Sequence, residues 1–294
     1  MDDDLRHFHI QVFDYRIHVV ETGDRDQPPV LFVHGWPESS RTWKDVMSAA
    51  APTAHAVAID LPGIGGSIGP ADPATKVALA EVLHELIGKL DLPNLTLVGH
   101  DIGGIVTYAY LRQYPDTLAA AVIMDTVVPG VDPWTEVLHN PYLWHFSLHN
   151  VPDLPEILVQ GRQKPYFDYF YNVLSADPSR ITPESRATQT AAYASDASLS
   201  AGFDFYRAFP EDAKNNAAFA DGPPVDTPLL YLRGEKEGGD IDVYEAGFRK
   251  AGVTNLTTAI VTDTGHFAQE EAPDEVWRLI HEFSMKQGRG SRSS

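Results

Sequence analysis

Short, continuously apolar runs alternate with stretches of helical spacing along most of the chain. The runs are Val30–Val33, Ala56–Ile59, Leu95–Val98, Ala121–Met124, Leu229–Leu232 and Thr257–Val261. Short strands that are apolar throughout are buried on both faces, as in a parallel sheet covered by helices. Helical spacing appears over Lys76–Leu90, Ile102–Gln113, Tyr244–Ala251 and Glu275–Lys286. This alternation predicts an α/β fold with a mostly parallel, twisted sheet and right-handed crossovers.

Two segments depart from this pattern. The segment His7–Gly23 alternates apolar and polar residues around a turn near Asp14, which indicates an antiparallel hairpin. Between about Val128 and Asn215 the chain is rich in aromatic residues, proline and aspartate and shows no convincing parallel strand. We interpret it as a helical lid inserted after the sixth strand. The predicted domains are a core of residues 1–127 and 218–294 and a lid, or cap, of residues 128–217.

The charge and composition of the chain narrow the classes of partner. The formal net charge is −19, whereas nucleic-acid binding requires clustered lysine and arginine. The sequence contains no cysteine, which excludes thiolate metal sites and cysteine nucleophiles. The segment Met1–Arg6 lacks the basic region and apolar run of a secretion signal, and no apolar stretch approaches the roughly 20 residues that span a bilayer. We therefore expect a cytoplasmic protein that binds neither nucleic acid nor membranes.

Asp101 lies at the centre of the stretch Gly99-His-Asp-Ile-Gly-Gly104, directly after a predicted strand. A strand–turn–helix elbow of this kind holds a nucleophile at the carboxyl edge of an open α/β sheet, where ligands bind. The tight backbone requires small neighbours, and Gly99 and Gly103 supply them. The pattern therefore predicts a nucleophilic carboxylate. The alternative is an aspartate that only caps the following helix.

A second motif, His34-Gly-Trp-Pro37, follows the first predicted parallel strand. It matches the oxyanion loop of α/β-hydrolases, so the backbone N–H groups of Trp36 and Ile102 are the predicted oxyanion donors. The alternative is a loop that proline merely stabilises. The stretch Asp60-Leu-Pro-Gly-Ile-Gly-Gly-Ser67 is also usual in that family, and it completes neither the dinucleotide nor the phosphate-loop pattern. We expect no cofactor.

A general base and an acid that orients it are expected after the later strands. His266 follows the last predicted strand and precedes the last helix, which is where the hydrolase fold places its base. Two acids are candidates to orient it. Asp125 directly follows the run that ends at Met124, and Glu237 follows the run that ends at Leu232. The prediction favours Asp125, with Glu237 as the alternative.

Taken in order, these motifs resemble the α/β-hydrolase-fold epoxide hydrolases over nearly the whole chain. In the lid, Trp144-His-Phe-Ser147 and Phe203–Phe209 are similar to the lid motifs of the bacterial Cif-type epoxide hydrolases. The resemblance implies that His145 and Tyr206 donate hydrogen bonds during ring opening; packing within the lid is the alternative role for both. It also implies an acid after the sixth strand, as at Asp125, although the subgroup usually has glutamate there.

The resemblance and the carboxylate together predict the conversion of an epoxide to a vicinal diol. Attack by Asp101 on a saturated carbon gives an alkyl ester and divides one difficult substitution into two easier steps. His266 then activates a water that hydrolyses this ester. The resemblance further implies a small apolar epoxide as substrate, no cofactor or metal, and a homodimer. His145 and His149 have a spacing that suits a metal, but no third ligand is near in sequence.

Two other functions remain open at this point. A haloalkane or haloacid dehalogenase uses the same Asp–His chemistry, but Ile102 offers neither the indole that holds a halide nor the guanidinium that holds a carboxylate. Phe146 likewise lacks an N–H group for a halide. A catalytically silent binding protein with a hydrolase fold would be expected to have lost the nucleophile, the base or the oxyanion loop.

Overall fold

The computed structural model describes residues 5–70 and 74–290. Residues 1–4, on which the prediction about a secretion signal partly rests, lie outside these ranges. The strands within them are β1 (Arg6–Val12), β2 (Tyr15–Thr22), β3 (Pro29–Val33), β4 (His55–Ile59), β5 (Leu95–His100), β6 (Leu118–Met124), β7 (Leu229–Gly234) and β8 (Leu256–Val261). They form one sheet in the order β1-β2-β4-β3-β5-β6-β7-β8.

The sheet is antiparallel at one edge and parallel elsewhere. Strands β1 and β2 form a hairpin in which Val12 pairs with Tyr15, and β2 pairs antiparallel with β4. The pairs from β4 through β3, β5, β6 and β7 to β8 are parallel. The predicted fold class, including the hairpin that turns near Asp14, is confirmed.

Helices connect the strands and also form the long segment between β6 and β7. They are α1 (Lys44–Ala50), α2 (Lys76–Leu90), α3 (Ile102–Gln113), α4 (Trp134–Leu138), α5 (Trp144–His149), α6 (Leu154–Val159), α7 (Gln163–Leu174), α8 (Pro183–Ala192), α9 (Asp196–Arg207), α10 (Phe209–Ala220), α11 (Ile241–Lys250), α12 (Ala268–Glu271) and α13 (Pro273–Gly290). Helices α2 and α3 have the predicted bounds. Helix α11 begins three residues earlier than predicted because the Asp240 side chain accepts the N–H of Asp242 and caps it.

The central strands β3–β7 bury both of their faces, whereas the edge strands β1 and β8 are partly exposed. In β3, Leu31 and Val33 pack with residues of α2 and α3, whereas Phe32 packs on the opposite face with residues of α1 and α13. Successive side chains of a strand point to opposite faces, so one short apolar run contributes to two cores. Because helices cover both faces of the sheet, a site can form only at an edge. The predicted motifs lie at the edge formed by the carboxyl ends of the parallel strands.

Residues 125–228 join β6 to β7 through α4–α10 and contain none of the sheet strands, which confirms a helical insertion after the sixth strand. The cap is the predicted part of this segment, residues 128–217. Its exact division from the core at these two positions stays a prediction. A buried ion pair ties the cap to the core: Lys76, the first residue of α2, places Nζ 3.0 Å from Asp212 Oδ2 in α10 and donates to the carbonyl of Phe205.

Candidate active site

Asp101 occupies the turn between β5 and α3 in a strained backbone conformation. Its φ is 49° and its ψ is −118°, outside the regions that a side chain of L configuration ordinarily adopts. The turn is tight because a Cβ at Gly103 would lie 2.2 Å from the carbonyl oxygen of Val33, and one at Gly35 would lie 2.4 Å from the Cβ of Asp101. The glycines of both motifs are therefore needed so that the two loops can meet around this carboxylate.

Both predicted oxyanion donors face the Asp101 carboxylate. The N–H of Trp36 donates to Oδ1 at 2.7 Å, and the N–H of Ile102 also bonds to the carboxylate. Burial raises the pKa of Asp101, while the nearby imidazoles and the two N–H groups oppose the rise. Since Oδ1 accepts the N–H of Trp36, Oδ2 is the oxygen left on the side of His266. The helix-capping alternative is not supported, because the carboxylate bonds across to the loop of Trp36 and makes no cap hydrogen bond to the N–H groups that follow Ile102 in α3.

His266 lies beside this carboxylate and is oriented by Glu237. Its Nε2 is 3.9 Å from Asp101 Oδ2, and its Nδ1 is 2.9 Å from Glu237 Oε1. Burial alone would raise the pKa of Glu237, but the Arg233 charge and the hydrogen bond to His266 lower it below its ordinary value. A carboxylate at Nδ1 holds the proton there, so Nε2 keeps a lone pair that faces the nucleophile.

The preference for Asp125 as the acid in contact with His266 is therefore wrong. Asp125 follows β6 with a φ of 44°, and its Oδ1 accepts the N–H of Gly234 at 2.6 Å. Its carboxyl group lies beside that of Glu237, and it is Glu237 that bonds to the imidazole. The longer side chain of Glu237, which enters from the loop after β7, takes the position between Asp125 and His266.

A buried ion pair links the three loops of the site, and sequence reasoning missed it. His100 Nδ1 donates to Glu38 Oε2 at 2.8 Å, and its Nε2 donates to the carbonyl of His266 at 2.8 Å. Glu38 Oε2 also accepts the N–H of Gly35. Burial opposes ionisation of both groups, but their mutual attraction raises the pKa of His100 to about 9 and lowers that of Glu38 to about 2. Both residues adjoin the recognised motifs, and that position was the available signal.

Glu38→Gln is expected to destabilise the protein by about 3 kcal/mol near pH 6. This value lies at the lower end of the loss of stability expected when one partner of a buried ion pair is removed. The loss is small because His100, once unpaired, can release its proton and become neutral. The raised pKa of His100 stabilises the fold below about pH 6.5, and this contribution is lost as the pH rises through about 9. The lowered pKa of Glu38 stabilises it above about pH 4.5, and this contribution is lost as the pH falls through about 2.

Urea unfolding at pH 6 and at pH 9.5 measures this difference. The exposed Glu85→Gln, which removes the partner of Lys89 on α2, is the control and should cost less than about 0.5 kcal/mol at both pH values. An equal loss for Glu38→Gln at the two pH values would contradict an ionised pair.

His145 in α5 and Tyr206 in α9 come together beside the indole of Trp36. Their ring centroids are 5.8 Å apart, and they lie 6.1 Å and 5.7 Å from the indole of Trp36, the residue whose backbone N–H binds the Asp101 carboxylate. Burial, and then the charge of Asp101, raises the pKa of Tyr206 well above its ordinary value. Burial, and then the charge of His266, lowers the pKa of His145 to about 3. At neutral pH the phenol therefore keeps its proton and the imidazole is uncharged.

The surroundings of these two side chains are almost wholly aromatic. The Trp36 indole also contacts Phe167 and Phe170 of α7 and His149 of α5. Other large aromatic side chains of the cap are buried at Phe167, Phe170, Tyr171 and Trp134, whereas Trp144 is 38% exposed. This environment favours an uncharged substrate.

His149 is a structural neighbour and not a metal ligand in this arrangement. Its Nε2 lies 2.8 Å from the hydroxyl of Tyr166, and burial holds its pKa well below the ordinary value. Among residues 5–70 and 74–290, no group of three or more His, Cys, Asp or Glu side chains is placed to hold a metal ion. No helix in this part of the chain is long and apolar enough to cross a membrane.

Comparison with known proteins agrees with this geometry. The family model described as the alpha/beta hydrolase fold matches residues 28–273. The chain belongs to this family. This hydrolase is 26% identical to the soluble epoxide hydrolase of Corynebacterium sp. (strain C12) over 283 residues, which cover 94% of this chain and 96% of the relative. The expectation of a hydrolase enzyme is confirmed.

Two solved structures of Cif-like proteins also resemble this hydrolase. Cfl2 from Burkholderia cenocepacia is 29% identical, with a TM-score of 0.87 and coverage of 95% of this chain and 96% of that one. The Cif epoxide hydrolase from Acinetobacter nosocomialis is 26% identical, with a TM-score of 0.86 and coverage of 95% and 89%. The predicted resemblance to the Cif-type subgroup is confirmed.

The dehalogenase alternative also has a counterpart among the relatives. A haloalkane dehalogenase of Psychrobacter cryohalolentis is 23% identical, and the match covers 92% of this chain and 88% of the relative. The family relationship alone therefore does not choose between an epoxide and a halogenated substrate.

Proposed function

We propose that this protein is an epoxide hydrolase that works through a covalent ester on Asp101. The observation that carries the proposal is that different groups contact the two oxygens of the Asp101 carboxylate. The N–H of Trp36 holds Oδ1, the Glu237-oriented His266 faces Oδ2, and two neutral hydrogen-bond donors of the cap, His145 and Tyr206, pack together beside the Trp36 indole. This arrangement suits attack on a carbon whose leaving oxygen stays bound to the substrate.

In the first step Oδ2 of Asp101 forms a bond to a ring carbon, and the carbon–oxygen bond of the ring breaks. The electron pair moves to the ring oxygen, which takes the proton of the Tyr206 hydroxyl, while His145 donates a hydrogen bond to the same oxygen. A neutral phenol and a neutral imidazole are suited to this step because neither attracts the nucleophilic carboxylate into an ion pair. The product is a hydroxyalkyl ester of Asp101.

In the second step His266 Nε2 takes a proton from a water whose oxygen attacks Cγ of Asp101. The charge that develops on Oδ1 is stabilised by the N–H groups of Trp36 and Ile102, which already contact the carboxylate. Collapse of the tetrahedral intermediate expels the diol, whose oxygen takes the proton from His266. The proton of the new Asp101 carboxyl group replaces the one that Tyr206 gave up.

Single-turnover hydrolysis in oxygen-18 water tests this sequence of steps. Enzyme is mixed in excess with a neutral epoxide, and the diol and the peptide that contains Asp101 are analysed by mass spectrometry. We expect an unlabelled diol and one heavy oxygen on Asp101, since the water attacks the carboxyl carbon. A labelled diol with unlabelled Asp101 would mean direct attack by water and would refute the ester.

The same measurement with haloalkanes and haloacetates decides between the substrate classes. Ile102 is fully buried and, like Phe146, carries no side-chain N–H to hold a departing halide, which favours the epoxide. Halide release without epoxide turnover would instead identify a dehalogenase. Turnover of neither class would favour a silent binding protein, although the intact nucleophile, base and oxyanion loop speak against that outcome.

A further inference from the structure

Two carboxyl groups meet behind His266, and the proposed reaction uses only one of them. Asp125 is fully buried, and Glu237 Oε2 is buried as well. Each of the two carboxyl groups lies within hydrogen-bonding reach of the other. Within the described residues, neither Asp125 Oδ2 nor Glu237 Oε2 receives a hydrogen bond from an N–H group or a hydroxyl, although both oxygens are buried. Two ionised carboxylates could not bond to each other, because both can only accept.

The charges around the pair allow one anion and not two. Arg233 is buried, and its Nη1 lies 3.5 Å from Glu237 Oε2. The remaining donors of this guanidinium bind the carbonyl of Gly238 and the hydroxyl of Tyr231. One permanent cation therefore balances one carboxylate, and Glu237 is the member closer to it. A second unpaired charge in this buried position would be costly.

We propose that Asp125 is a protonated carboxylic acid at neutral pH and that it donates its proton to Glu237 Oε2, which positions Glu237 Oε1 to hold His266. Asp125 is then a positioning residue that acts through Glu237. In the catalytic cycle this role rests on the proposed function, because it assists the ester hydrolysis that His266 carries out. The protonation state itself does not depend on that function.

The pKa directions agree with this assignment. Burial, and next the Glu237 charge, raises the pKa of Asp125 well above its ordinary value, while the N–H of Gly234 and the Arg233 charge oppose the rise. The pKa of Glu237 lies below its ordinary value, as described above. The titratable and charged groups around the pair come from β7 and its loop, from α11, from the loop after β8 and from the cap: Tyr231, Arg233, Tyr244, His266 and Glu136.

Asparagine at position 125 has nearly the same shape as the proposed protonated aspartate and also offers one acceptor and a donor. Its Oδ1 can accept the N–H of Gly234, and its Nδ2 can donate to Glu237 Oε2. Leucine has a similar volume and offers no donor. We expect Asp125→Asn to hydrolyse the ester within about threefold of the wild-type rate. We expect Asp125→Leu to be slower by about 10–100-fold, the effect of losing a hydrogen bond to a charged group.

Measuring ester formation and ester hydrolysis separately distinguishes a positioning role of Asp125 from a general disturbance of the structure. Rapid-mixing experiments give the rate of ester formation and the rate of ester hydrolysis, and we expect both variants to change only the second. In Asp125→Asn the activity should also persist to higher pH than in the wild type, because this variant has no acid at position 125 to ionise. Hydrolysis by Asp125→Asn as slow as by Glu237→Gln would overturn the proposal. So would a wild-type rate for Asp125→Leu.

The pH dependence of stability supplies a second readout. A carboxyl group that keeps its proton when folded, but loses it near pH 4 when unfolded, makes folding less favourable as the pH rises above about 4. Asp125→Asn removes this dependence, so its melting temperature relative to wild type should increase from pH 4 to pH 8. A difference that stays constant with pH would contradict a protonated Asp125.

Infrared spectroscopy measures the proton directly and needs neither activity nor the leucine variant. The wild-type minus Asp125→Asn spectrum at pH 7 should contain the carbonyl band of a protonated carboxylic acid, shifted in heavy water. The absence of this band would overturn the proposal. Because the measurement requires no substrate, a negative result for epoxide turnover and a negative result here remain distinguishable.

Discussion

Replacing His266 by glutamine is expected to lower steady-state turnover by about 10²–10⁴-fold and to leave the enzyme as its ester. Ester formation needs only the carboxylate of Asp101, which backbone N–H groups already hold, and the donors of the cap. Ester hydrolysis needs a base that removes a proton from water, and an amide cannot do so. The covalent intermediate should therefore accumulate.

Intact-mass measurement detects this intermediate. After incubation with a neutral epoxide, the mass of His266→Gln should increase by the mass of the whole epoxide. The double variant Asp101→Ser with His266→Gln should show no increase, and the exposed His139→Gln should turn over like the wild type. Adducts from halogenated compounds alone, with halide release by the wild type, would refute the epoxide assignment. No adduct from either class would refute the covalent mechanism.

Replacing Tyr206 by phenylalanine is expected to slow ester formation by about 10²–10³-fold, as for the loss of one donor to a developing oxyanion. In the proposed mechanism this hydroxyl supplies a proton to the opened ring, and its raised pKa keeps that proton in place at neutral pH. The ring contacts of Tyr206 with Trp36 and Phe146 survive in phenylalanine, so the packing of the cap should be preserved.

The His266→Gln background isolates this step, because adduct formation there reports ring opening alone. Tyr166→Phe is the matched control: its ring also packs on Trp36, but its hydroxyl binds His149. We expect Tyr166→Phe to change the rate by less than about tenfold, about the effect of one ordinary hydrogen bond. Equal rates of adduct formation for Tyr206→Phe and its parent would mean that Tyr206 only packs.

The backbone motifs were predictable because their chemistry is local. The elbow at Asp101, the oxyanion loop at Trp36 and the position of His266 each follow from a strand that ends and a turn that begins within a few residues. Helices α2 and α3 were predicted to the residue for the same reason, since long apolar periodicity defines them. The start of α11 was missed because the side-chain cap at Asp240 sets it, and apolar periodicity does not reveal a cap.

The side-chain partners were not predictable from the sequence alone. Asp125 and Glu237 both follow parallel strands, and the choice between them depends on side-chain length and on which carboxyl group reaches the imidazole in three dimensions. The pair of His100 and Glu38 spans 62 positions, so no local pattern reveals it. Ionisable side chains are ordinarily expected at the surface, but these two lie in the core. An ionisable side chain in the core is stable only with a partner that the fold brings to it.

The indole of Trp36 has a consequence for observing this enzyme in solution. The rings that contact this indole include those of His145, Phe170 and Tyr206, which belong to the cap, whereas the backbone of Trp36 belongs to the oxyanion loop. Indole fluorescence depends on the polarity and the quenching groups around the ring. Trp43 and Trp277 pack on the opposite face of the sheet, and Trp134 and Trp144 belong to the cap itself, so Trp36 is the tryptophan of the core that faces the cap. The chain thus carries, at the centre of its own site, an intrinsic optical sensor of the position of its cap.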